Sequence, residues 1–239
     1  MTDAYDLSIC IPAYGFSAGV NRALRSIVPL FSRLKLQVIV VEDPSPNPVV
    51  LDEEFFRVVH IVNESACGAV LNWNRALTYA TGRYVWLLHH DEFLDVEASI
   101  LSLCREIQEG ECDLLISNIV KHGFPLQSFR LNFVKPIVTL HPKLLFYMNV
   151  IGSPSNVIVN RRILRQFDEK LEWYVDVDWF VRLIKAAENI SLRQFSVMCV
   201  PYDGNIKKSL SARLKKVKKN EIRYLKSRGD MKPMSEDVT

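Results

Sequence analysis

The sequence predicts an α/β fold in which helices flank a mostly parallel central sheet. Short β-branched runs alternate along the chain with stretches whose apolar residues recur at helical spacing. The strand-like runs are almost continuously apolar, which is typical of a parallel sheet that is covered by helices on both faces. We therefore expect right-handed crossovers between successive strands.

Seven apolar runs are the predicted strands, and four amphipathic stretches are the predicted helices. The strands are residues 7–13, 37–43, 56–63, 84–91, 113–120, 156–160 and 191–200. The helices are residues 20–34, 69–80, 95–110 and 176–188, with Asp95 as the N-cap of the third. Prolines and glycines punctuate the stretch beyond residue 120, where a substrate-facing flap is one interpretation.

Length and composition indicate a single compact domain with a short appendage. The chain has 239 residues, 49% of them hydrophobic. Its beginning carries acidic residues where a secretory signal would be basic, and no apolar run approaches about 18 residues. Five scattered cysteines without zinc-site spacing predict buried free thiols in a reducing compartment. We therefore expect a cytoplasmic protein that does not span a membrane.

Charge is distributed unevenly, because residues 207–228 contain ten lysines and arginines against one acid, Glu221. The rest of the chain has 20 basic and 26 acidic residues. One interpretation is a cationic helix that lies peripherally on anionic lipids at the inner face of the plasma membrane. The other is a solvated helix packed on the body by its apolar side. A nucleic-acid partner is disfavoured, since the body is acidic and lacks an aromatic-rich binding surface.

Polar and aromatic residues collect where the predicted strands end, which is where ligands bind in open α/β sheets. Gly15 and Gly19 lack the spacing of a dinucleotide-binding turn, and neither a phosphate-binding lysine loop nor a serine-hydrolase elbow is present. The candidate residues at three strand ends are Pro12, Ala13, Tyr14, Glu42, Asp43, His89, His90, Asp91 and Glu92.

The order and spacing of several blocks resemble family 2 glycosyltransferases of the GT-A type over roughly residues 5–200. The blocks are LSICIPAY, VIVVEDPSPN, GAVLNWNRALTYATGRYVWLLHHDEFL, IGSPSNVIVNRRIL and FDEKLEWYVDVDWFVRL. The central block is most similar to members that assemble O-antigen, capsule and other lipid-linked polysaccharides. The resemblance implies a nucleotide-binding half (1–120), an acceptor and catalytic half (121–204), and a basic helix and tail (205–239).

On the donor side, the resemblance implies that Pro12, Ala13 and Tyr14 line the nucleotide pocket. It also implies that Asp43, together with Glu42, would accept a hydrogen bond from the base.

A divalent cation, Mn²⁺ or Mg²⁺, is implied at Asp91, which matches the family's metal-ligating aspartate. His89 stands where the family often has the motif's first aspartate, and Glu92 replaces a common final one. His89, His90 and Asn74 are expected near the donor, Asn74 with a structural alternative. The alternative for the motif is that Asp91 caps a turn and the histidines pack at a strand end.

On the acceptor side, alignment through WFVRL implies that Asp176 is the catalytic base, with Asp178 in reserve. The alternatives are that Asp176 is an N-cap and that Asp178 forms a helix-surface ion pair with Arg182, four residues on. Residues 152–155 are expected near the acceptor, unless they form a plain loop.

Many relatives carry a histidine near residues 202–205, and this sequence has Tyr202, Asp203 and Asn205 there. The missing contact would be made by Lys207 or Lys208 to the diphosphate. Together these features predict an inverting transferase that uses a nucleotide-diphosphate sugar, most simply a UDP-sugar, and a lipid-linked saccharide acceptor. The alternative is a catalytically degenerate subunit that binds nucleotide sugar or serves in assembly.

Overall fold

The computed structural model describes residues 4–55, 57–95, 97–119, 135–199 and 211–231, and it confirms the α/β class. Eight strands form one sheet in the order β3-β2-β1-β4-β7-β6-β8-β5. The strands are β1 (Leu7–Ala13), β2 (Leu36–Glu42), β3 (Val59–Val62), β4 (Tyr84–Leu87), β5 (Glu92–Asp95), β6 (Leu114–Ile119), β7 (Val157–Asn160) and β8 (Ile190–Cys199).

The sheet is parallel in its first half and mixed in its second. The pairs β2–β3, β1–β2, β1–β4 and β6–β8 are parallel, as expected for crossover connections. The strand β7 runs antiparallel to both β4 and β6, and β5 runs antiparallel to β8. The carboxyl ends of β1, β2 and β4 therefore share one edge of the sheet, where the predicted donor site lies.

Five described helices pack on the two faces of this sheet: α1 (Ser17–Ile27), α2 (Ala69–Thr78), α3 (Glu97–Glu109), α4 (Val175–Ala186) and α5 (Ser211–Ser227). Side chains alternate between the faces, so that Ile9 and Ile11 contribute to one core cluster and Cys10 to the other. The helices α1 and α3 cover the first face. The second face is covered by α2, α4 and residues of α5.

The predicted strands and helices differ from the observed ones in three places. The strand β5 was not predicted, and Asp95 ends this strand instead of capping the following helix. The first helix ends at Ile27 rather than residue 34, because Pro29 enters a 3-10 turn, Val28–Ser32. The strand β3 lies at the edge of the sheet, so its apolar Val59 and Val62 are half exposed rather than covered.

The C-terminal helix α5 is part of the packed body. Leu225 is fully buried, and Ile222 and Tyr224 pack against the core beneath α4. This contact supports the interpretation of a helix packed by its apolar side. Among the described residues, no helix is both long and apolar enough to cross a bilayer.

The prediction that the cysteines are buried free thiols is confirmed in part. Cys10, Cys104 and Cys112 are free and buried, whereas Cys67 is free and only partly buried. Burial raises the pKa of the Cys10 thiol to about 12, so this cysteine stays protonated at neutral pH.

Candidate functional site

The end of β1 and the turn after β4 are joined by a hydrogen bond from a side chain to a backbone carbonyl. The His90 imidazole donates from Nδ1 to the Pro12 carbonyl at 3.1 Å, which places the ring proton on Nδ1. Gly19 in α1 permits the close approach, since a Cβ there would lie 2.5 Å from the His90 carbonyl oxygen. Tyr14, just beyond β1, is 53% exposed beside this turn. In the sequence, Gly19 was considered only as part of a dinucleotide-binding turn, whose spacing it does not have. In the structure, the absence of a side chain at Gly19 permits this contact.

His90 is held as a neutral group. Burial is the main cause that lowers its pKa below the ordinary value, and the Pro12 contact and the Asp91 charge oppose burial without overcoming it. A neutral imidazole next to Asp91 leaves that carboxylate's negative charge uncompensated by His90. This arrangement suits a site that must attract a cation.

The carboxylate Asp91 occupies the turn that joins β4 to β5, and its side chain is partly buried. The neighbouring Glu92 begins β5 and accepts a hydrogen bond from the Ser153 hydroxyl at 3.0 Å. Its other neighbour is the His89 ring, whose Nδ1 lies 3.9 Å from the same Glu92 oxygen. Two adjacent carboxylates with different environments therefore stand at the end of β4.

His89 is fixed by two groups that the sequence did not associate with it. Its backbone N–H donates to the Ser155 hydroxyl at 2.9 Å, and Ser155 is fully buried. Its ring lies on Trp73 of α2, with centroids 4.9 Å apart and the planes tilted by 31°. Residues 152–155, which include Ser155, were predicted near the acceptor. The structure brings this segment and Trp73 to the turn after β4.

A series of aromatic contacts joins this turn to the helix that carries Asp176. Trp73 meets Phe167 edge to face at 5.2 Å, and Phe167 stacks on Trp179 of α4 at 4.5 Å. Asp176 precedes Trp179 by three residues, so the two side chains project from the same side of α4. Since α2 and α4 cover the same face of the sheet, Asp176 lies on the face from which Trp73 reaches His89.

Asp176 and Asp178 differ sharply in their surroundings. Asp176 is the second residue of α4 and is partly buried, and the N-cap position belongs to Tyr174. The N-cap interpretation of Asp176 is therefore wrong.

Asp178 is fully buried, and both of its oxygens accept from arginines. Arg182 Nε donates at 2.7 Å and Arg228, beyond α5, donates at 2.8 Å. The expected surface ion pair is thus a buried network with two cations. A fully buried carboxylate whose two oxygens are both occupied by arginines cannot contact an acceptor hydroxyl, so we remove Asp178 from the candidate catalytic residues.

Glu42 and Asp43 are both buried, and the protein itself supplies their partners. Glu42 accepts from the Val49 backbone N–H at 2.8 Å and contacts His60 Nε2 at 3.0 Å. Asp43 accepts from the backbone N–H groups of Cys67 and Gly68 at 2.8 and 2.9 Å. These contacts make Glu42 an anchor for the loop after β2, which corrects its expected role toward the base.

Burial alone would raise the pKa of Asp43, but the hydrogen bonds from Cys67 and Gly68 outweigh it and lower the pKa below its ordinary value. Asp43 is therefore ionised, and its carboxylate holds Cys67 and Gly68, the two residues just before α2.

Asn74 does not face the donor edge. Its amide donates to the Phe167 carbonyl at 3.1 Å and to Glu169, and its oxygen accepts from the Phe167 N–H at 2.7 Å. Both ends of this buried side chain thus hold the segment before α4. The expectation of a donor-side role is replaced by the structural alternative.

The last feature of the site is its capacity to hold a divalent cation. Among the described residues, no group of three or more histidine, cysteine or carboxylate side chains forms a metal cage. A hard divalent cation in a nucleotide site keeps few protein ligands and takes its other oxygens from the substrate's phosphates. Asp91, partly buried in the turn after β4 with Glu92 beside it, fits a cation of this second kind.

Several predicted features fall on parts of the chain that the structure does not describe. These are the flap beyond residue 120 as far as residue 134, and the segment with Tyr202, Asp203, Asn205, Lys207 and Lys208.

The comparisons with known proteins agree with one another. The family model for Glycosyl transferase family 2 matches residues 8–167. The uncharacterized protein MT1568 of Mycobacterium tuberculosis (strain CDC 1551 / Oshkosh) is 25% identical over 226 residues, which cover 86% of this chain and 68% of that protein.

Solved structures show the same fold. S. aureus TarS 1-349, in complex with UDP-GlcNAc, superposes with a TM-score of 0.62 at 20% identity, covering 87% of this chain and 61% of that one. Glucosyl-3-phosphoglycerate synthase from Mycobacterium tuberculosis, in complex with Mn²⁺, UDP and glucosyl-3-phosphoglycerate, gives 0.58 at 17% identity, covering 95% and 81%. This chain thus spans about three fifths of the TarS chain. At these identities the likeness shows the GT-A fold.

Proposed function

Because this chain belongs to glycosyl transferase family 2, we propose that it transfers a glycosyl group from a nucleotide-diphosphate sugar to an acceptor hydroxyl, with inversion. The observation that carries the proposal is the aromatic series from His89 through Trp73 and Phe167 to Trp179. It ties the turn that holds Asp91 to the helix that holds Asp176 within one packed unit.

We assign the nucleotide to the edge formed by the ends of β1, β2 and β4. Tyr14 offers an exposed ring for stacking, and the buried Pro12 and Ala13 precede it at the end of β1, where they would back the nucleotide. A UDP-sugar is the proposed donor, since TarS is bound to UDP-GlcNAc and the synthase to UDP. A divalent cation held by Asp91 would neutralise charge on the departing diphosphate.

Asp176 is the proposed general base. In the transfer step the acceptor oxygen bonds to the anomeric carbon, the bond from that carbon to the diphosphate oxygen breaks, and the hydroxyl proton passes to the carboxylate. The base and the leaving group must lie on opposite sides of the sugar. The sugar would therefore occupy the space between the turn after β4 and the start of α4.

The proposed acceptor is a saccharide carried on a lipid, used in bacterial surface polysaccharide synthesis on the cytoplasmic side of the membrane. Support comes from the resemblance of the NWNRAL, ATGRY and LLHHDE sequences to transferases of this kind. Ser153 and its neighbours, next to Glu92, would form the side of the site that faces this acceptor.

Two substitutions separate the roles of the two carboxylates. Asp176→Asn should keep donor binding and lower kcat about 10²- to 10⁴-fold, because it removes the proton acceptor alone. Asp91→Ala should weaken Mn²⁺-dependent binding of UDP. Calorimetric titration with and without Mn²⁺, and transfer assays over a panel of donors and acceptors, measure both effects.

The matched control is Glu109→Gln, an exposed carboxylate on α3 that should leave both readouts unchanged. Transfer retained in both test variants would contradict the mechanism. Donor binding by the wild type without turnover across the whole panel would instead favour the non-catalytic subunit.

A further inference from the structure

Four apolar side chains next to α4 are exposed to solvent. They lie in or just after the helical segment at 135–140 and the 3-10 turn Pro142–Phe146, which bury Ile137, Val138, Leu145 and Phe146 against the core. The opposite side of the same segment presents Leu140, Leu144, Tyr147 and Met148, with exposed fractions of 68%, 46%, 48% and 51%. We call these four residues the apolar ridge. Contiguous exposed apolar side chains of this kind mark interaction sites.

The segment that carries the apolar ridge is linked to the basic helix α5 through residues that neighbour both. Lys143 Nζ donates to the Gly229 carbonyl at 2.8 Å, and the Phe146 ring lies 6.1 Å from that of Tyr174. Beside Tyr174, the half-exposed Trp173 carries the Lys218 ammonium 3.8 Å from its ring centre. These links place the segment of the ridge, Trp173 and α5 next to one another around the start of α4.

Among the described residues of α5, every exposed charged side chain is cationic. The one acid of this helix, Glu221, is turned inward and is 5% exposed, where it accepts from the backbone N–H groups of residues 172–174. Glu172, at the border, is paired with Arg213 at 3.1 Å. The exposed cations of the helix are Arg213, Lys215, Lys216, Lys219, Arg223 and Lys226.

We propose that the apolar ridge, Trp173 and α5 form a docking surface for a bilayer that contains anionic lipids. Apolar and aromatic side chains flanked by lysines match the layered chemistry of a membrane interface, in which acyl chains lie below anionic headgroups. A soluble acidic partner would account for the lysines and leave the ridge exposed. The helix does not insert by its own apolar side, because Leu225 and Ile222 are packed against the body.

The position of this surface has a functional consequence. Trp173 and Tyr174 immediately precede α4, and Asp176 is the second residue of that helix. Docking would bring the start of α4 to the headgroup level. The idea that docking brings a lipid-carried acceptor to the site rests on the proposed function. Docking itself does not depend on that function.

Vesicle co-sedimentation tests the proposal, using the full chain without any donor. Vesicles of phosphatidylcholine with phosphatidylglycerol should bind the wild type, and pure phosphatidylcholine vesicles should bind it far less. Lys215→Gln with Lys219→Gln should lower the partition coefficient roughly 30-fold, since each cation near the surface contributes about 1 kcal/mol. Leu144→Ser with Tyr147→Ser should lower it by at least about ten-fold. Added salt should weaken binding of the wild type.

The matched control is Val59→Ser with Lys35→Gln, which removes one exposed apolar and one exposed cationic side chain at the other end of the sheet. This variant should bind as the wild type does. Equal binding to neutral and anionic vesicles, equal loss in the control, or no vesicle binding at all would overturn the proposal. Intact vesicle binding by a chain that transfers no sugar would contradict only the proposed function.

Discussion

Acidic residues that cannot be told apart by residue type have different roles in this protein. Asp43, Asp178 and Glu221 are buried, and each accepts hydrogen bonds from the chain itself. Asp91 and Asp176 are partly buried and lie at a turn and at a helix start. Burial with full internal hydrogen bonding marks a structural acid, because a satisfied carboxylate has little capacity left for a ligand. We keep Asp91 and Asp176 as functional candidates because they are only partly buried and lie at a turn and at a helix start.

Asp43→Asn should lower the free energy of unfolding by about 1–2 kcal/mol at pH 7, because an amide cannot accept at both positions. Because the pKa of Asp43 is lowered on folding, its contribution to the free energy of unfolding is present above about pH 3.9. This contribution is lost as the pH falls through the pKa of Asp43 in the folded state. The difference between the wild type and the variant should therefore shrink toward pH 3. Urea unfolding at pH 7 and pH 3 measures this, with Glu54→Gln, an exposed carboxylate, as the control. A difference that does not change with pH would contradict the assignment.

At the scale of elements, the C-terminal helix sets the start of α4. Glu221 accepts four hydrogen bonds from three consecutive backbone N–H groups, those of Glu172, Trp173 and Tyr174. An acid from a neighbouring helix thus fixes the backbone just before α4 and places a negative charge near its N-terminus. The structure gives Tyr174 at the N-cap no side-chain capping bond. The position of Asp176, two residues later, depends on this contact.

Glu221→Ala should therefore cost about 1–3 kcal/mol of unfolding free energy, since it removes the acceptor of three partly buried N–H groups. Glu221→Gln should recover part of the loss, because its side-chain oxygen can still accept. Chemical denaturation measures both variants, and Glu109→Ala, an exposed glutamate on α3, should change stability by less than about 0.5 kcal/mol. Equal effects of Glu221→Ala and Glu109→Ala would show that the contact does not hold α4.

Across the whole molecule, the two faces of the sheet are covered by different parts of the chain. The first face is closed by α1 and α3, which come from the first half of the sequence. The second needs α2, α4 and the C-terminal helix, which are far apart in sequence. Leu225 is central to this second core, and Met231 beyond the helix is also buried. The basic helix is thus required for the core beneath the proposed catalytic helix.

Leu225→Ala should destabilise the protein by about 2–5 kcal/mol, through lost burial and the cavity that remains. The matched control is Leu101→Ala on α3, where the side chain is 47% exposed and the expected change is below about 0.5 kcal/mol. Thermal or urea unfolding compares the two. A small effect of Leu225→Ala would mean that α5 is only loosely attached to the body.

The sequence by itself determined the fold class, seven of the eight described strands and the order of the motif blocks. It did so because apolar periodicity and β-branched runs are local properties. The strand β5 was missed, since its four residues gain their strand conformation only by pairing with β8, about a hundred residues later. The edge position of β3 and the antiparallel β7 likewise depend on partners that no local pattern encodes.

Only the tertiary structure decided which polar residues the protein uses internally. Glu42, Asn74 and Asp178 have the same residue types and spacing as functional groups, yet their partners come from loops and helices distant in sequence. The same holds for the contact of Trp73 with His89 and for the inward turn of Glu221. A hydrogen bond or ring contact between distant segments depends on how the chain packs, so spacing along the sequence predicts the chemistry available to a residue but not the partner it meets.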